Sequence, residues 1–251
     1  MKMAVQIAWA VTGAGHFLEE TCDVMSRLVK DNKVTVTAYL SSAGEQVVKM
    51  YGLWSKLEQI SPGGYLQEIF AENNEEPGFS HAGRLVMNLY DALVVSPASG
   101  NTVAKIVCGI ADTLATNAVA QAQKGQVPVY VVPTDQKEGF VETTLPYRVD
   151  RRECKLCEPC PAVEVCTYSA FQFVDGVPRI DSVMCQGCGL CVTACPFGAV
   201  KYGEKKELMI RRVDAQNVKK LRLMDNVTVL ENPQQILTII EKLQTTSGGK
   251  S

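Results

Sequence analysis

The segment MCQGCGLCVTACP (184–196) carries four cysteines separated by two, two and three residues, and a proline follows the last of them. A second segment, RRECKLCEPCPAVEVC (151–166), carries four more, separated by two, two and five residues. The chain has ten cysteines, and eight of them lie in this one block. Disulfide frameworks are typical of small secreted chains, whereas clustered cysteines in a longer chain indicate bound metal.

The spacing C-x2-C-x2-C-x3-C-P is the one with which bacterial-type ferredoxins hold [4Fe–4S] clusters. Three thiolates of each segment bind one cluster, and the fourth cysteine reaches the cluster of the other segment. The sequence therefore predicts two ligand sets: cluster 1 on Cys154, Cys157, Cys160 and Cys195, and cluster 2 on Cys185, Cys188, Cys191 and Cys166. The alternative is structural zinc, but zinc sites usually pair two C-x2-C units into one set of four, which is not the pattern here.

The two halves of the block also form an internal repeat. CTYSAFQFVDG (166–176) aligns with CPFGAVKYGEK (195–205). Three pairs of positions match: Tyr168 with Phe197, Ala170 with Ala199, and Phe173 with Tyr202. Each half predicts a cysteine loop, a short helical turn and a strand, so we expect an α+β ferredoxin-like domain with a pseudo-twofold axis over residues 148–204.

Strands and helices alternate through the rest of the chain. Apolar runs rich in Val and Ile predict buried strands, and these lie in residues 3–13, 33–44, 91–101, 126–134 and 226–230. Amphipathic segments predict helices within residues 16–31, 80–90, 102–125 and 231–243. Buried strands separated by helices are typical of a parallel sheet covered on both faces. We expect a flavodoxin-like or Rossmann-like α/β domain built from residues 1–147 and completed by residues 205–251, with the cluster block inserted into it.

Small polar residues follow three of the predicted strands, where ligands bind in such sheets. They are Thr12, Gly13, Ala14, Gly15 and His16 after the first strand, Ser41 and Ser42 after the second, and Ser96, Ala98, Ser99, Gly100, Asn101 and Thr102 after the third. Hydroxyls and free backbone N–H groups at helix N-termini form a phosphate site. The first loop lacks a full G-x-G-x-x-G, which disfavours a dinucleotide and favours a smaller nucleotide-like cofactor.

SPASGNTVAKIVCGIADTL (96–114) resembles the PASANT region of the homo-oligomeric flavin-containing cysteine decarboxylases. That resemblance implies FMN, with its phosphate near the Gly13–His16 loop and Ser41 and its ring near Ser99, Asn101 and Thr102. It also implies flavin contacts from Thr116 and Asn117, and an assembly built on trimers with FMN near the seam.

Two positions depart from the decarboxylase pattern. The family's P-x-M-N-x-x-M-W clamp is replaced by VVPTDQKEGF (131–140), so decarboxylation is not expected. His81 precedes Pro97 by sixteen residues, whereas the family places a histidine about fourteen before its motif. It is therefore interpreted either as that histidine or as a helix-cap or surface residue.

A flavin domain with an inserted two-cluster domain resembles the archaeal iron–sulfur flavoproteins, and within them the dihydromethanopterin reductase (acceptor) family. The resemblance implies that a ferredoxin-like donor passes single electrons through the clusters to FMN, which reduces a pterin. Two alternatives stay open: an electron carrier without a small-molecule substrate, and a relative that kept decarboxylase chemistry.

The overall charge argues against a nucleic-acid surface, since 25 Lys and Arg balance 27 Asp and Glu. The basic stretch 211–223 is interpreted as a solvated helix face. MKMAVQIAWAVTGAGH (1–16) is interpreted as a buried first strand rather than a signal peptide, and no apolar run is long enough for a membrane helix. We expect a soluble, cytoplasmic protein in which the two isolated cysteines, Cys22 and Cys108, are buried small hydrophobic residues.

Overall fold

The computed structural model describes residues 4–30, 34–75 and 79–247. Its strands are β1 (Val5–Val11), β2 (Val34–Leu40), β3 (Ile69–Ala71), β4 (Ala92–Ala98), β5 (Val129–Pro133), β6 (Gly139–Thr144), β7 (Arg148–Val149), β8 (Phe171–Val174), β9 (Val177–Ile180), β10 (Val200–Lys201), β11 (Lys205–Ile210) and β12 (Val227–Val229). Its α-helices are α1 (Leu18–Lys30), α2 (Ser42–Met50), α3 (Trp54–Ile60), α4 (Gly83–Val86), α5 (Gly100–Val107), α6 (Leu114–Lys124), α7 (Pro161–Glu164), α8 (Leu190–Ala194), α9 (Arg212–Leu221) and α10 (Gln235–Ser247). Short 3-10 turns occupy Glu72–Asn74 and Ser80–Ala82.

Six strands form one parallel sheet in the order β12-β5-β4-β1-β2-β3. The strand order reverses between β1 and β4, and the helices that follow these two strands, α1 and α5, lie on opposite faces of the sheet. All seven residues of β4 are buried, as expected for a strand covered on both faces. The predicted α/β fold is confirmed, and the reversal marks where such sheets bind ligands.

Two apolar cores lie on opposite faces of this sheet. On one face, Trp9 of β1 packs among residues of α1, α3 and α10. On the other, Leu93 of β4 packs among residues of α5, α6 and α9. The basic stretch 211–223 forms α9, which buries Val218 and Leu221 and leaves its lysines exposed, as expected for a solvated helix face.

Several local features differ from the sequence-based expectations. The polar residues after β2 begin α2, with Ser41 as N-cap accepting a 3.0 Å hydrogen bond from the N–H of Gly44. Segment 80–90 forms one 3-10 turn and the four-residue α4 rather than a full helix. The sequence did not predict α3 or β3. The predicted segments 3–13, 16–31 and 33–44 each end or begin on a residue outside the described ranges, namely 3, 31 and 33.

An antiparallel ribbon of β6 and β11 brackets the cysteine block. The chain leaves the sheet after β5, passes up β6, returns along β11 and then completes the sheet with β12 beside β5. The block is therefore inserted between the fifth and sixth strands of the sheet. Across the described ranges, the structure contains no helix long and apolar enough to cross a membrane.

The inserted block has its own small core. Strand β7 pairs with β10, and β8 pairs with β9, both antiparallel. Ala162, Phe171 and Val200 form the buried centre. Phe171 and Val200 occupy equivalent positions of the sequence repeat, so the two halves contribute alike to this core. Such a small core buries little apolar surface, and small domains of this kind usually need metal to be stable.

Candidate functional site

The loops after β1 and β4 are joined directly at the carboxyl edge of the sheet. Thr12 donates its hydroxyl to the carbonyl of Pro97 at 2.8 Å and accepts the N–H of Ser99 at 2.9 Å. Ser99 caps α5, since its hydroxyl accepts a hydrogen bond from the N–H of Thr102 at 3.3 Å. Two of the three predicted loops are thereby held at the N-terminus of a helix, where free N–H groups favour an anion.

Three glycines allow the first two loops to approach each other. A Cβ on Gly13 would lie 2.5 Å from the Cβ of Ala43 in α2. A Cβ on Gly15 would overlap the hydroxyl of Tyr51, and one on Gly44 would overlap the carbonyl oxygen of Val11. Since no side chain fits at these positions, the backbones of the two loops form a close-packed floor on which a bound group would rest.

We expect Gly44→Ala to destabilise the protein by about 1–3 kcal/mol, because the new methyl group presses on the end of β1. The matched control is Gly83→Ala, whose Cβ meets no atom within 4 Å. The control should change stability by less than about 1 kcal/mol. Thermal unfolding and flavin content of both variants test this. A Gly44→Ala protein that unfolds at the wild-type temperature with full flavin would contradict it.

The start of α6 supplies an unsatisfied polar atom at the same edge. Thr116 is buried, and its hydroxyl forms a capping box with Thr113. The buried Oδ1 of Asn117, one residue later, has no hydrogen-bond partner among the described residues. Buried polar groups are normally paired, so this amide fits the contact that the family resemblance implies for it.

Glu72 is a site residue that the sequence did not reveal. Its carboxylate accepts a hydrogen bond from the hydroxyl of Ser42 at 2.8 Å and one from the N–H of Leu114 at 2.7 Å. It therefore ties the starts of α2 and α6 together. The strand directly before it, β3, has only three residues, so the sequence carries no signal that would have found it.

His16 follows β1 and Asp135 follows β5, on the side of the carboxyl edge opposite Glu72. Burial lowers the pKa of His16, and the smaller opposing effects of Glu20, the backbone of Glu142 and Asp135 do not offset it. Asp135 follows β5, in the segment that replaces the decarboxylase clamp, and accepts the hydroxyl of Thr134 at 2.7 Å. A Cβ on Gly100 would lie 3.2 Å from its carboxylate and 3.0 Å from that of Asp214. The sequence did not predict that the carboxylates of Asp135 and Asp214 lie together near Gly100.

The other predicted flavin residues divide into two groups. Ala14 lies in the loop after β1, whereas Asn101 lies in the first turn of α5 and is exposed. Ser96 and Ala98 are fully buried behind the edge. The hydroxyl of Ser96 is 2.8 Å from that of Thr21 in α1, so Ser96 links sheet to helix within the core.

The eight cysteines of the inserted block surround two separate hollows. One is lined by Cys166, Cys185, Cys188 and Cys191. The other is lined by Cys154, Cys157, Cys160 and Cys195. Each set combines three cysteines of one segment with one cysteine of the other, and Phe171 stands between the two hollows.

The donor set of these hollows fits an iron–sulfur cluster. Burial raises the pKa of Cys191 to about 11, and the neighbouring thiols Cys185 and Cys188 add to the rise. Thiols gathered in this way stay protonated unless a strongly cationic group binds them as thiolates. No three His, Cys, Asp or Glu side chains within the described ranges converge as closely as a single metal ion requires. The cysteines enclose a volume instead, which suits a cluster.

The surroundings of Cys22, Cys108 and His81 test the remaining sequence-based expectations. Cys22 is fully buried, as expected, and burial raises its thiol pKa to about 12. The expectation for Cys108 is wrong: it is exposed, because it lies at the C-terminal cap of α5, past the buried stripe of that helix. His81 stacks on Phe70 with ring centroids 3.9 Å apart, and its Nδ1 lies 2.7 Å from a carboxylate oxygen of Glu75.

Known proteins resemble the chain along most of its length. The model of the Flavoprotein family matches residues 1–144, and that of the 4Fe-4S binding domain matches residues 178–201. The dihydromethanopterin reductase (acceptor) of Methanosarcina mazei is 46% identical over 236 residues, covering 93% of this chain and 98% of that protein. The enzyme of the same name from Methanocaldococcus jannaschii is 45% identical over 234 residues, covering 93% and 94%.

A solved structure shares the fold. DmrB of Burkholderia xenovorans, described in complex with FMN as a cubic protein cage for redox transfer, superposes with a TM-score of 0.62 at 23% identity, covering 98% of both chains. The curated relatives carry the family assignment, since they match nearly the whole chain at high identity. The chain therefore belongs to the Flavoprotein family and, within it, to the family of the dihydromethanopterin reductases (acceptor).

Proposed function

We propose that the protein is an oxidoreductase acting on CH–NH groups, which reduces dihydromethanopterin to tetrahydromethanopterin with electrons from a ferredoxin-like donor. Its cofactors are FMN and two [4Fe–4S] clusters. FMN accepts electrons singly and delivers them as a hydride, the step that a pterin C=N bond requires and that clusters alone do not perform. The observation that carries this proposal is the pair of cysteine-lined hollows inserted into a flavin-binding fold.

The residues that would hold FMN lie at the loops that meet on the sheet edge. The Gly13–His16 loop and the helix capped by Ser41 present backbone N–H groups to the phosphate. The loop of Ser99, Asn101 and Thr102 lies on the ring side, together with the amide of Asn117. The unpaired oxygen of Asn117 and the glycine floor support this placement.

The proposed domain limits separate the flavin-binding part of the chain from the cluster-binding part. Residues 1–147 and 205–251 build the flavin domain, and residues 148–204 form the two-cluster domain. The ribbon of β6 and β11, which carries the chain out of the sheet and back, supports these limits. We further propose a cytoplasmic homo-oligomer built on trimers, by analogy with the flavin-containing decarboxylases and with the cage formed by DmrB.

The proposal is tested by anaerobic reduction of the holoprotein followed by addition of dihydromethanopterin. We expect the flavin absorption to return as the pterin is consumed, with up to two pterins reduced per chain, because reduced FMN carries two electrons, each reduced cluster carries one, and each pterin takes two. A flavin that stays reduced over many minutes would contradict a pterin reductase and would favour an electron carrier. Folate-type dihydropterins serve as substrate controls.

A further inference from the structure

Within the proposed function, on which this inference rests, we infer that the Cys166–Cys185–Cys188–Cys191 hollow holds the cluster next to the flavin. Three tyrosines that pack in series, Tyr147, Tyr202 and Tyr51, set its position. We call these residues the tyrosine bridge. The other hollow is then the outer site, where a donor delivers electrons. The tyrosines act as positioning residues.

The inner end of the bridge lies at the cluster hollow. Tyr147 is part of the wall of that hollow, and a Cβ on Gly189, which lies between two of its cysteines, would lie 3.2 Å from the hydroxyl of Tyr147. Tyr147 stacks on Tyr202, with ring centroids 4.3 Å apart and planes at 24°. The ring system therefore begins in contact with the loop that carries Cys188 and Cys191.

The other end of the bridge reaches the Gly13–His16 loop, which would hold FMN. Tyr202 packs edge-on against Tyr51, with centroids 6.5 Å apart, and donates its hydroxyl to Glu19 of α1 at 3.1 Å. The hydroxyl of Tyr51 lies against Gly15, so closely that any side chain at Gly15 would overlap it. Tyr51 is held there because it donates to the carbonyl of Thr144 at 2.6 Å.

The backbones of the two domains also touch on this side. A Cβ on Gly52, just after Tyr51, would lie 2.7 Å from the carbonyl oxygen of Gly187, between Cys185 and Cys188. Both glycines have positive φ angles, +72° and +63°. The amide of Gln46 donates to the hydroxyl of Ser182 at 3.0 Å nearby. The second triplet is thus the one docked on the flavin domain.

The internal repeat shows that this contact is particular to one half of the block. Tyr202 corresponds to Phe173 in the other half. Phe173 lies on β8 with 39% of its surface exposed, whereas Tyr202 is packed between Tyr147 and Tyr51. Two positions related by the pseudo-twofold axis therefore differ in their surroundings, and only Tyr202 links a cluster hollow to the sheet edge.

The tyrosines need not change their redox state. Each event moves one electron, so the inner cluster is oxidised by one electron and FMN is reduced by one. Two events, with protons taken from water, complete the reduction of FMN, and a ferredoxin-class donor restores the clusters. Electron tunnelling slows steeply with distance and with gaps in packing. The tyrosine rings therefore serve as close-packed material that fixes the distance between the inner cluster and FMN.

The test compares Tyr202→Leu with Phe173→Leu, its matched control, in the anaerobic holoprotein without pterin. Reduced ferredoxin is mixed with each protein at increasing concentration, and the loss of flavin absorption is followed. We expect the limiting rate of Tyr202→Leu to fall by about tenfold or more, since small misplacements of reacting groups cost rates of this order. The donor concentration for half-maximal rate should not change, and Phe173→Leu should behave as wild type.

Tyr202→Phe keeps the ring without the hydroxyl and should restore the wild-type limiting rate. Wild-type rates in Tyr202→Leu would overturn the inference. Loss of iron or FMN from Tyr202→Leu beyond that in Phe173→Leu would also overturn it, since the ring would then serve only to build the domain. Because no pterin is present, failure of the proposed pterin reaction leaves this test intact.

Discussion

Replacement of Cys166 by alanine is expected to remove the cluster of the other segment, leaving about four of the eight irons that two cubane clusters hold. Cys166 lines one hollow with Cys185, Cys188 and Cys191, although it follows the first triplet in the chain. The N–H of Phe171 donates to its sulfur at 3.4 Å, a hydrogen bond typical of cluster thiolates. Iron analysis and the low-temperature electron paramagnetic resonance spectrum of the reduced protein measure the effect.

Four cysteine variants of the inserted block are compared, with a fifth variant outside it as the control. Cys188→Ala and Cys157→Ala each remove a ligand from within a triplet, so they provide the reference spectra of proteins that have lost one known cluster. Cys166→Ala should match Cys188→Ala, and Cys195→Ala should match Cys157→Ala. The opposite matching would show that each segment binds its own cluster with all four of its cysteines. Cys108→Ala, an exposed cysteine outside the block, should keep all the iron.

A variant that lacks both Cys185 and Cys188 is expected to keep FMN and to lose almost all flavin reduction by a protein donor. The loops that would hold FMN connect strands and helices of the two large cores on the faces of the sheet. The inserted block has a separate core around Phe171. When its FMN is reduced chemically, the same variant should still reduce dihydromethanopterin. Flavin content, stopped-flow absorption and pterin consumption are measured on one preparation.

Two results would contradict this expectation. If the clusters are required even when FMN is already reduced, the inserted block takes part in building the substrate pocket. If a ferredoxin-like donor reduces FMN as fast in the variant as in wild type, electrons bypass the clusters. Cys108→Ala again serves as the control, since it changes a thiol without touching either hollow.

Parts of the fold could be predicted because their signals are local. A parallel strand that is covered on both faces has to be apolar along its length, so β1, β2, β4 and β5 stand out as Val- and Ile-rich runs. The loops after these strands were predicted to converge, and the hydrogen bonds of Thr12 with Pro97 and Ser99 show that two of them do.

Other elements carry no such signal. Strands β6 and β11 are mostly exposed, with Phe140 and Met209 each 70% accessible, so they lack the pattern of a half-buried strand. Strand β3 has three residues and α4 has four, too short for a periodicity to appear. Their places are decided by the neighbours they pair with. Glu72 was missed for the same reason, since it follows β3.

The sequence by itself determined the class of the main domain and the presence of a cluster-binding insert. It also predicted the two ligand sets, which stay a prediction. Those features depend on short motifs and on runs of apolar residues, each read within a short stretch of chain, which a sequence encodes directly. The tertiary structure alone decided that Cys108 is exposed and that Tyr51 meets Tyr202, 151 positions further along the chain. Contacts of that kind arise from the docking of one folded surface on another, and the shape of those surfaces exists only after both domains have formed.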